Sequence, residues 1–137
     1  MANEPTVHIV SDDASFRESA AKFFPLMFMA CKTFPTIGLF EQTVRPDSPG
    51  CLILDMQPSR ESVESAIDVF KRLIFHGNLQ MPVIFMGKGG DIQTAVKCMS
   101  LGALDYLEKP VALSSLPQIV REAFAEDTRR RAKRQTD

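Results

Sequence analysis

The amino-acid sequence predicts an α/β fold in which a doubly wound parallel sheet of five strands is covered by five helices. Short apolar runs alternate with amphipathic stretches along the chain, and strands joined through helices pair in parallel by right-handed crossovers. In addition, 137 residues with 45% hydrophobic content are enough for one domain with its own core. Together these two observations favour a single sheet with helices on both faces.

Five apolar runs have the length and composition of strands. The run "CLILD" is almost free of polar residues, which is typical of a strand buried on both faces, whereas "CKTF" is the weakest of the five. We predict strands at 6–10, 31–34, 51–55, 82–86 and 104–108.

The stretches between these strands place apolar residues at helical spacing. We predict helices at 15–29, around 37–44, at 60–75, from Asp91 to about Gly102, and from Ser114 or Ser115 onward. Asp91 and the two serines are suitable N-caps, and Gly102 is a suitable end signal. Pro117 is tolerated in the first turn of the last helix.

The composition excludes several classes of function. Cys31, Cys51 and Cys98 are odd in number and widely spaced, which supports neither a disulfide framework nor a zinc site and favours buried thiols. His8, on the first strand, is expected to be a core residue. The apolar stretch "FFPLMFMAC" is too short to span a bilayer. We therefore expect a cytoplasmic protein with no membrane contact.

Charge is divided unevenly along the chain. Residues 1–128 carry 11 basic and 16 acidic side chains, whereas the last nine residues, "RRRAKRQTD", carry five basic groups and one acid. We therefore divide the chain into a domain at 1–127 and a basic C-terminal tail or linker at 128–137. A contact with nucleic acid or an acidic partner is one reading of that tail, and a solvated helix end is the other.

Candidate functional residues follow four of the predicted strands. They are Ser11, Asp12 and Asp13 after the first strand, Asp55 at the end of the third, Gly87 and Lys88 after the fourth, and Lys109 after the fifth. Ligands of doubly wound sheets bind outside the carboxyl ends of the strands. Two carboxylates and a carbonyl suit Mg²⁺, and an aspartate can attack phosphorus as a nucleophile. The pattern thus favours phosphoryl chemistry at this edge.

Three stretches, "VHIVSDDASFR", "CLILDM" and "PVIFMGKGGDIQTAVKCMSLGALDYLEKP", carry a resemblance to a known family. Over residues 5 to about 127 the chain resembles a response-regulator receiver domain of two-component signalling, similar to those that precede helix-turn-helix output domains. The resemblance implies a flavodoxin-like sheet with strand order 2-1-3-4-5 and five helices. It also implies a regulatory switch and not an enzyme.

The resemblance assigns roles at the predicted site. Asp55 is the implied phosphoacceptor, Lys109 the phosphate-binding lysine and Tyr106 the aromatic switch residue. Mg²⁺ is the implied cofactor, with Asp12, Asp55 and the backbone carbonyl of Gln57 as its ligands. The peptide bond between Lys109 and the proline that follows it is implied to be cis, which only X-Pro bonds readily allow.

The chain departs from the family pattern at Ser11, Gly87 and Lys88. Ser11 stands where the family usually has the first of two acids, so one carboxylate is missing unless Asp13 replaces it, and Mg²⁺ affinity should fall. Gly87 stands where the family has Ser or Thr, whose hydroxyl bonds the phosphoryl oxygen. Such a bond to a charged group contributes on the order of 1.5–3 kcal/mol. Lys88 occupies a usually small position and has three open roles: replacing the metal, contacting phosphate or carboxylate, or lying in solvent.

Two functional hypotheses follow. In the first, a histidine kinase or phosphotransfer protein passes a phosphoryl group to Asp55 in a phosphorelay with a transcriptional output. In the alternative, the chain is a degenerate receiver that acts as a protein-interaction module without phosphorylation. A flavodoxin-like cofactor binder is a third class, recognisable by a flavin spectrum. We expect a weak homodimer through the 102–125 face, and contact with nucleic acid only through an output domain outside these residues.

Overall fold

The computed structural model describes residues 4–55 and 66–136 of the chain. The five strands are all parallel and lie in the order β2-β1-β3-β4-β5, which confirms the predicted topology. They are β1 (Thr6–Val10), β2 (Ala30–Phe34), β3 (Gly50–Asp55), β4 (Val83–Gly87) and β5 (Asp105–Glu108). Each strand lies within one residue of its predicted position at both ends.

Helices connect the strands as predicted. They are α1 (Ala14–Leu26), α2 (Ile37–Thr43), α3 (Ala66–Lys71), α4 (Ile92–Ser100) and α5 (Leu116–Thr136), with a π-helical turn at Arg72–His76 after α3 and a 3₁₀ turn at Leu113–Ser115 before α5. Asp13, Thr36 and Asp91 are N-caps, since each side chain accepts a hydrogen bond from the backbone N–H three residues on. The predicted start of the third helix lies outside the described residues.

The predicted end of α1 is wrong. We expected the helix to reach residue 29, but it ends at Leu26. Phe28 has the left-handed backbone conformation, with φ +60°. The N–H of Met29 donates to the carbonyl oxygen of Phe24 at 3.0 Å. A left-handed residue followed by such a bond is a common way for a helix to end, although glycine usually fills the position.

The predicted cap of the last helix is also wrong. Ser114 and Ser115 lie in the 3₁₀ turn, and the Ser115 Oγ donates to the carbonyl oxygen of Ala112 at 2.6 Å, which is not the geometry of an N-cap. At its other end α5 continues without interruption to Thr136. The basic segment that follows residue 127 is therefore helical as far as the structure describes it.

Buried apolar side chains cover both faces of the sheet. All six residues of β3 are buried, as the uninterrupted apolar run predicted. Leu52 and Leu54 pack with side chains of α2, α3 and α4. Cys51 and Ile53 point to the other face, where they pack with α1 and α5. This alternation places helices on both sides of the central strand.

His8, Cys51 and Cys98 are core residues, as expected, whereas the expectation of a buried thiol is wrong for Cys31. The Nδ1 atom of His8 lies 3.1 Å from the carbonyl oxygen of Cys51, and the ring packs edge-on against Phe40. Burial lowers the pKa of the His8 imidazole, so the ring is neutral in the folded protein at neutral pH. All three cysteines are free; Cys51 and Cys98 are buried, and Cys31 is partly buried.

The amino edge of the sheet holds α5 through a buried carboxylate. Asp127 is 2% exposed. Its Oδ2 accepts hydrogen bonds from the N–H of Gly50 at 3.0 Å and from Nε of Arg131 at 2.9 Å. Gly50 has φ +129°, and a Cβ there would lie 2.0 Å from the carbonyl oxygen of Thr6. Only glycine fits this position. The contact between α5 and β3 therefore needs both Asp127 and Gly50.

Within residues 4–55 and 66–136, no helix is long and apolar enough to cross a membrane.

Candidate functional site

The carboxyl edge of the sheet brings together the residues that the sequence placed after the strands. β1 and β3 are neighbours in the sheet, so Ser11 and Asp55 lie side by side at the ends of adjacent strands. Gly87 ends β4, and Lys109 follows β5. The N–H of Lys109 donates to the carbonyl oxygen of Gly87 at 2.9 Å, which holds these two strand ends together. The Lys109–Pro110 peptide bond is cis, as the resemblance implied.

Asp55 lies at the centre of this edge and has a partner for each carboxylate oxygen. Oδ1 forms an ion pair with Nζ of Lys109. Oδ2 accepts a hydrogen bond from the hydroxyl of Ser11 at 2.7 Å. The side chain of Asp55 is 4% exposed and that of Lys109 is 21% exposed. A buried carboxylate needs such partners because burial without them would favour its neutral form.

Ser11 has a part in the site that sequence reasoning missed. The sequence marked it as the loss of an acid, whereas its hydroxyl donates directly to Asp55 and accepts from the N–H of Asp13 at 3.1 Å. Its carbonyl oxygen accepts from Nη1 of Arg17 at 2.7 Å. The loop after β1 is therefore fixed by hydrogen bonds on both sides of Ser11. The available sequence signal for this contact was a serine directly after β1, the strand next to the one that ends in Asp55.

The described oxygen donors suit a magnesium ion in kind but are few in number. Asp12 is exposed. One oxygen of Asp13, Oδ1, accepts a hydrogen bond from the N–H of Phe16 as the N-cap of α1 and is not a free ligand. No group of three His, Cys, Asp or Glu side chains in the described part of the chain is placed to hold a metal. Gln57, the third ligand that the resemblance implied, lies outside the described residues.

A cleft gives access to Asp55. It has a volume of about 410 Å³. Its lining consists of Asp13, Phe16, Asp55, Met86, Lys109, Pro110 and Val111. The carboxylate and the lysine thus lie at the wall of a space large enough for a small anionic group, although the carboxylate itself is mostly buried.

Tyr106 occupies the space that a side chain at position 87 would need. A Cβ built on Gly87 would lie 2.1 Å from the hydroxyl oxygen of Tyr106 and 2.6 Å from its Cζ. The ring stacks on Phe85, with ring centroids 6.5 Å apart and planes at 24°. Sequence reasoning named both positions but missed that they share one volume. The available sequence signal was that position 87, a glycine without a side chain, occurs together with the single tyrosine of the chain at position 106.

Lys88 does not join this set of contacts. Its side chain is exposed, and among the residues that the structure describes it forms no ion pair with Asp12, Asp55 or any other carboxylate. Of the two lysines that the sequence placed near the acids, the structure pairs Lys109 with Asp55 and leaves Lys88 in solvent.

The fold and the strand-end residues are those of a doubly wound α/β protein with a carboxylate and a lysine at the carboxyl edge of its sheet. Comparison with known proteins identifies its family. A model of the response regulator receiver domain family matches residues 7–121. The chain belongs to this family.

Curated relatives and solved structures agree with this membership. The response regulator protein TmoT of Ectopseudomonas mendocina is 33% identical over 88% of this chain and 53% of its own length. The transcriptional regulatory protein FixJ of Azorhizobium caulinodans is 32% identical over 86% of this chain and 54% of its own length. The chain thus spans about half the length of these relatives.

Two solved structures show the same fold. That of the response regulator StyR superposes with a TM-score of 0.84 at 30% identity, covering 98% of this chain and 66% of that one. That of FixJ-N gives a TM-score of 0.73 at 27% identity, covering 90% and 95%.

Proposed function

We propose that Asp55 accepts a phosphoryl group from a phosphohistidine of a histidine kinase or phosphotransfer protein, and that the chain thereby regulates a transcriptional output. One observation carries the proposal: the Asp55 carboxylate forms an ion pair with Lys109 and lines a cleft, so it has a cation beside it and lies within reach of a donor. The names of the relatives TmoT and FixJ, a response regulator and a transcriptional regulator, support the signalling role.

The residues of the site suit the chemistry of phosphoryl transfer. A carboxylate oxygen of Asp55 attacks the phosphorus, an O–P bond forms, and the N–P bond of the phosphohistidine breaks with its electron pair remaining on the imidazole. Lys109 supplies positive charge next to the oxygen that reacts. Ser11 holds the other oxygen, which fixes the orientation of the carboxylate. Such fixed partners lower the cost of orienting the nucleophile.

Magnesium is the cofactor that receiver domains generally bind at the phosphorylation site. In this chain Asp12 and Asp55 would hold it, and the ion would supply positive charge against the phosphoryl oxygens. Ser11 replaces one acid of the family pattern. We therefore propose a site of low Mg²⁺ affinity.

Intact-mass spectrometry tests the acceptor. The purified chain is incubated with acetyl phosphate and Mg²⁺, and we expect one added phosphoryl mass in the wild type. Asp55→Asn should show none, and Asp47→Asn, an exposed aspartate of the amino edge, should label like the wild type. A phosphoryl adduct that persists in Asp55→Asn would rule out this acceptor.

A second candidate function is a protein-interaction module that signals without phosphorylation. The placement of Tyr106 favours it, because the ring already fills the space beside Gly87 with no phosphoryl group present. The same mass measurement separates the two functions: a wild type that gains no phosphoryl mass under any donor supports the module.

We also propose a weak homodimer through the 102–125 face. A groove of about 590 Å³ lies between β5 and α5, with Tyr106, Leu107 and Ile119 in its lining. On the adjacent helix α4, Ile92 and Val96 are exposed apolar side chains. Exposed apolar patches of this kind mark contact surfaces. Sedimentation that shows only monomer at high concentration, with and without a phosphoryl analogue, would count against this dimer.

A further inference from the structure

The hydroxyl of Tyr106 lies where the missing side chain of residue 87 would be. The distance of 2.1 Å between its oxygen and a Cβ built on Gly87 is far shorter than any non-bonded contact. The two groups cannot both be present. The chain therefore places a phenol hydroxyl at the end of β4, where the family pattern has the hydroxyl of Ser or Thr.

The surroundings of Tyr106 fix this placement. In the sheet Tyr106 is the partner of Phe85, and their rings stack. Asp55 is the partner of Met86 on the neighbouring strand pair, so Gly87 lies one residue further toward the carboxyl edge than Asp55. The phenol oxygen thus lies beside the last residue of β4, at the carboxyl edge of the sheet.

The hydroxyl is available to donate a hydrogen bond. Within residues 4–55 and 66–136 it has no hydrogen-bond partner. Burial raises the pKa of the Tyr106 phenol, and the charges of Asp91, Cys98 and Glu108 raise it further. The phenol is therefore protonated at neutral pH and remains a donor.

We propose that the Tyr106 hydroxyl donates to a phosphoryl oxygen on Asp55 the hydrogen bond that a Ser or Thr at position 87 donates in an ordinary receiver domain. This inference rests on the proposed function of Asp55. It makes Tyr106 a phosphoryl-binding residue of this chain. Lys109 and Tyr106 would then both contact the phosphoryl group. The hydroxyl that is missing at position 87 would be replaced by that of a residue on the next strand, β5.

Calorimetric titration with beryllium fluoride in the presence of Mg²⁺ tests the inference, since this reagent mimics a phosphoryl group on a carboxylate. Tyr106→Phe keeps the ring and removes only the hydroxyl. We expect it to bind beryllium fluoride at least about ten-fold more weakly than the wild type, as the loss of a hydrogen bond to a charged group predicts. Urea unfolding should give the same midpoint for both proteins.

A pair of further variants moves the hydroxyl to the family position. Tyr106→Ala clears the space, and Gly87→Ser in that background supplies a hydroxyl from residue 87. We expect the double variant to bind beryllium fluoride more tightly than Tyr106→Ala alone. Gly87→Ser alone is not a suitable test of a hydroxyl at position 87, because its Cβ would clash with the Tyr106 ring.

Ultraviolet difference absorbance gives a signature that a packing role would not produce. Tyr106 is the single tyrosine of a chain without tryptophan. A red shift of its absorbance on addition of beryllium fluoride is therefore expected from the new hydrogen bond.

Equal affinities of the wild type and Tyr106→Phe would overturn the inference while leaving the acceptor role of Asp55 intact. A wild type that binds no beryllium fluoride and gains no phosphoryl mass would instead overturn the acceptor role, and the inference with it.

Discussion

Two buried aspartates lie at opposite edges of the same sheet and have similar partners but different surroundings. At the carboxyl edge, Asp55 pairs with Lys109 and the Ser11 hydroxyl. At the amino edge, Asp127 pairs with Arg131 and the N–H of Gly50. Each carboxylate thus has one cation and one hydrogen-bond donor. Asp55, however, lines a cleft of about 410 Å³.

The difference shows that burial and pairing alone do not identify a functional acid. Both partners of Asp55 are side chains, those of Lys109 and Ser11. One partner of Asp127 is a backbone N–H of a strand, and that aspartate joins α5 to β3. The same charge arrangement therefore lines a cleft at one edge and joins a helix to a strand at the other. Replacing each acid in turn separates these roles.

The largest effect is expected from Asp127→Ala. The change leaves the Gly50 N–H without a partner and removes the ion pair of Arg131, so we expect a loss of roughly 3 kcal/mol in the free energy of unfolding. Asp55→Ala should cost less, about 1 kcal/mol or below, because water in the cleft can solvate Lys109 and Ser11. Urea unfolding followed by circular dichroism measures both.

Equal losses in the two variants would contradict the distinction between a structural and an accessible carboxylate. Arg131→Met serves as a control for the amino edge. It leaves Asp127 buried with the Gly50 N–H as its donor, and we expect it to destabilise the fold as well, because an unpaired buried charge is costly.

Alkaline pH should weaken the amino edge by a smaller, graded amount. Burial raises the pKa of the Cys31 thiol to about 11 from 9.0. Burial, and next the charge of Asp127, raises that of Cys51. The folded protein therefore keeps protons that the unfolded chain releases. Stability is complete below about pH 9 and falls above it, by up to about 1.4 kcal/mol per pH unit for each such thiol.

Urea unfolding between about pH 8 and pH 10 under reducing conditions checks this slope. Cys51→Ala should reduce the slope by the contribution of about one thiol. Asp127→Ala should reduce the slope slightly, since the aspartate disfavours the thiolate of Cys51. Asp55→Ala should not change it. A slope in Cys51→Ala identical to that of the wild type would show that this thiol does not govern the alkaline loss.

The sequence predicted most of the fold because its signals are local. Periodicity placed all five strands, and Asp91 was recognised as a cap from its position before an apolar helix. The errors lie at helix ends, where the outcome depends on one backbone conformation. Phe28 adopts φ +60° although phenylalanine rarely does, and no residue pattern indicates it.

The site was predicted in part. The proximity of Asp55 and Lys109 was predictable because one ends a strand and the other directly follows one. The contact of Ser11 with Asp55 joins residues 44 positions apart and depends on strand register and a side-chain rotamer. Asp127 was missed although a signal existed: it continues the buried helical stripe of α5 after Val120 and Ala123. A charged residue on a buried stripe indicates a partner in the core.

The smallest effect is expected at Lys88, the cation that the sequence placed near the acids of the carboxyl edge. Its side chain is exposed and has no ion pair within the described residues, so solvent and salt screen its charge from Asp12 and Asp55. Calorimetric Mg²⁺ titration should therefore give affinities for Lys88→Ala and the wild type within about two-fold. Ser11→Asp is the matched positive control, because it restores a carboxylate beside Asp55 and should raise Mg²⁺ affinity by about ten-fold or more. If Lys88→Ala tightened Mg²⁺ binding as much as Ser11→Asp does, the lysine would compete with the metal at the acceptor site, and the low affinity would arise from an added cation and not from the missing acid.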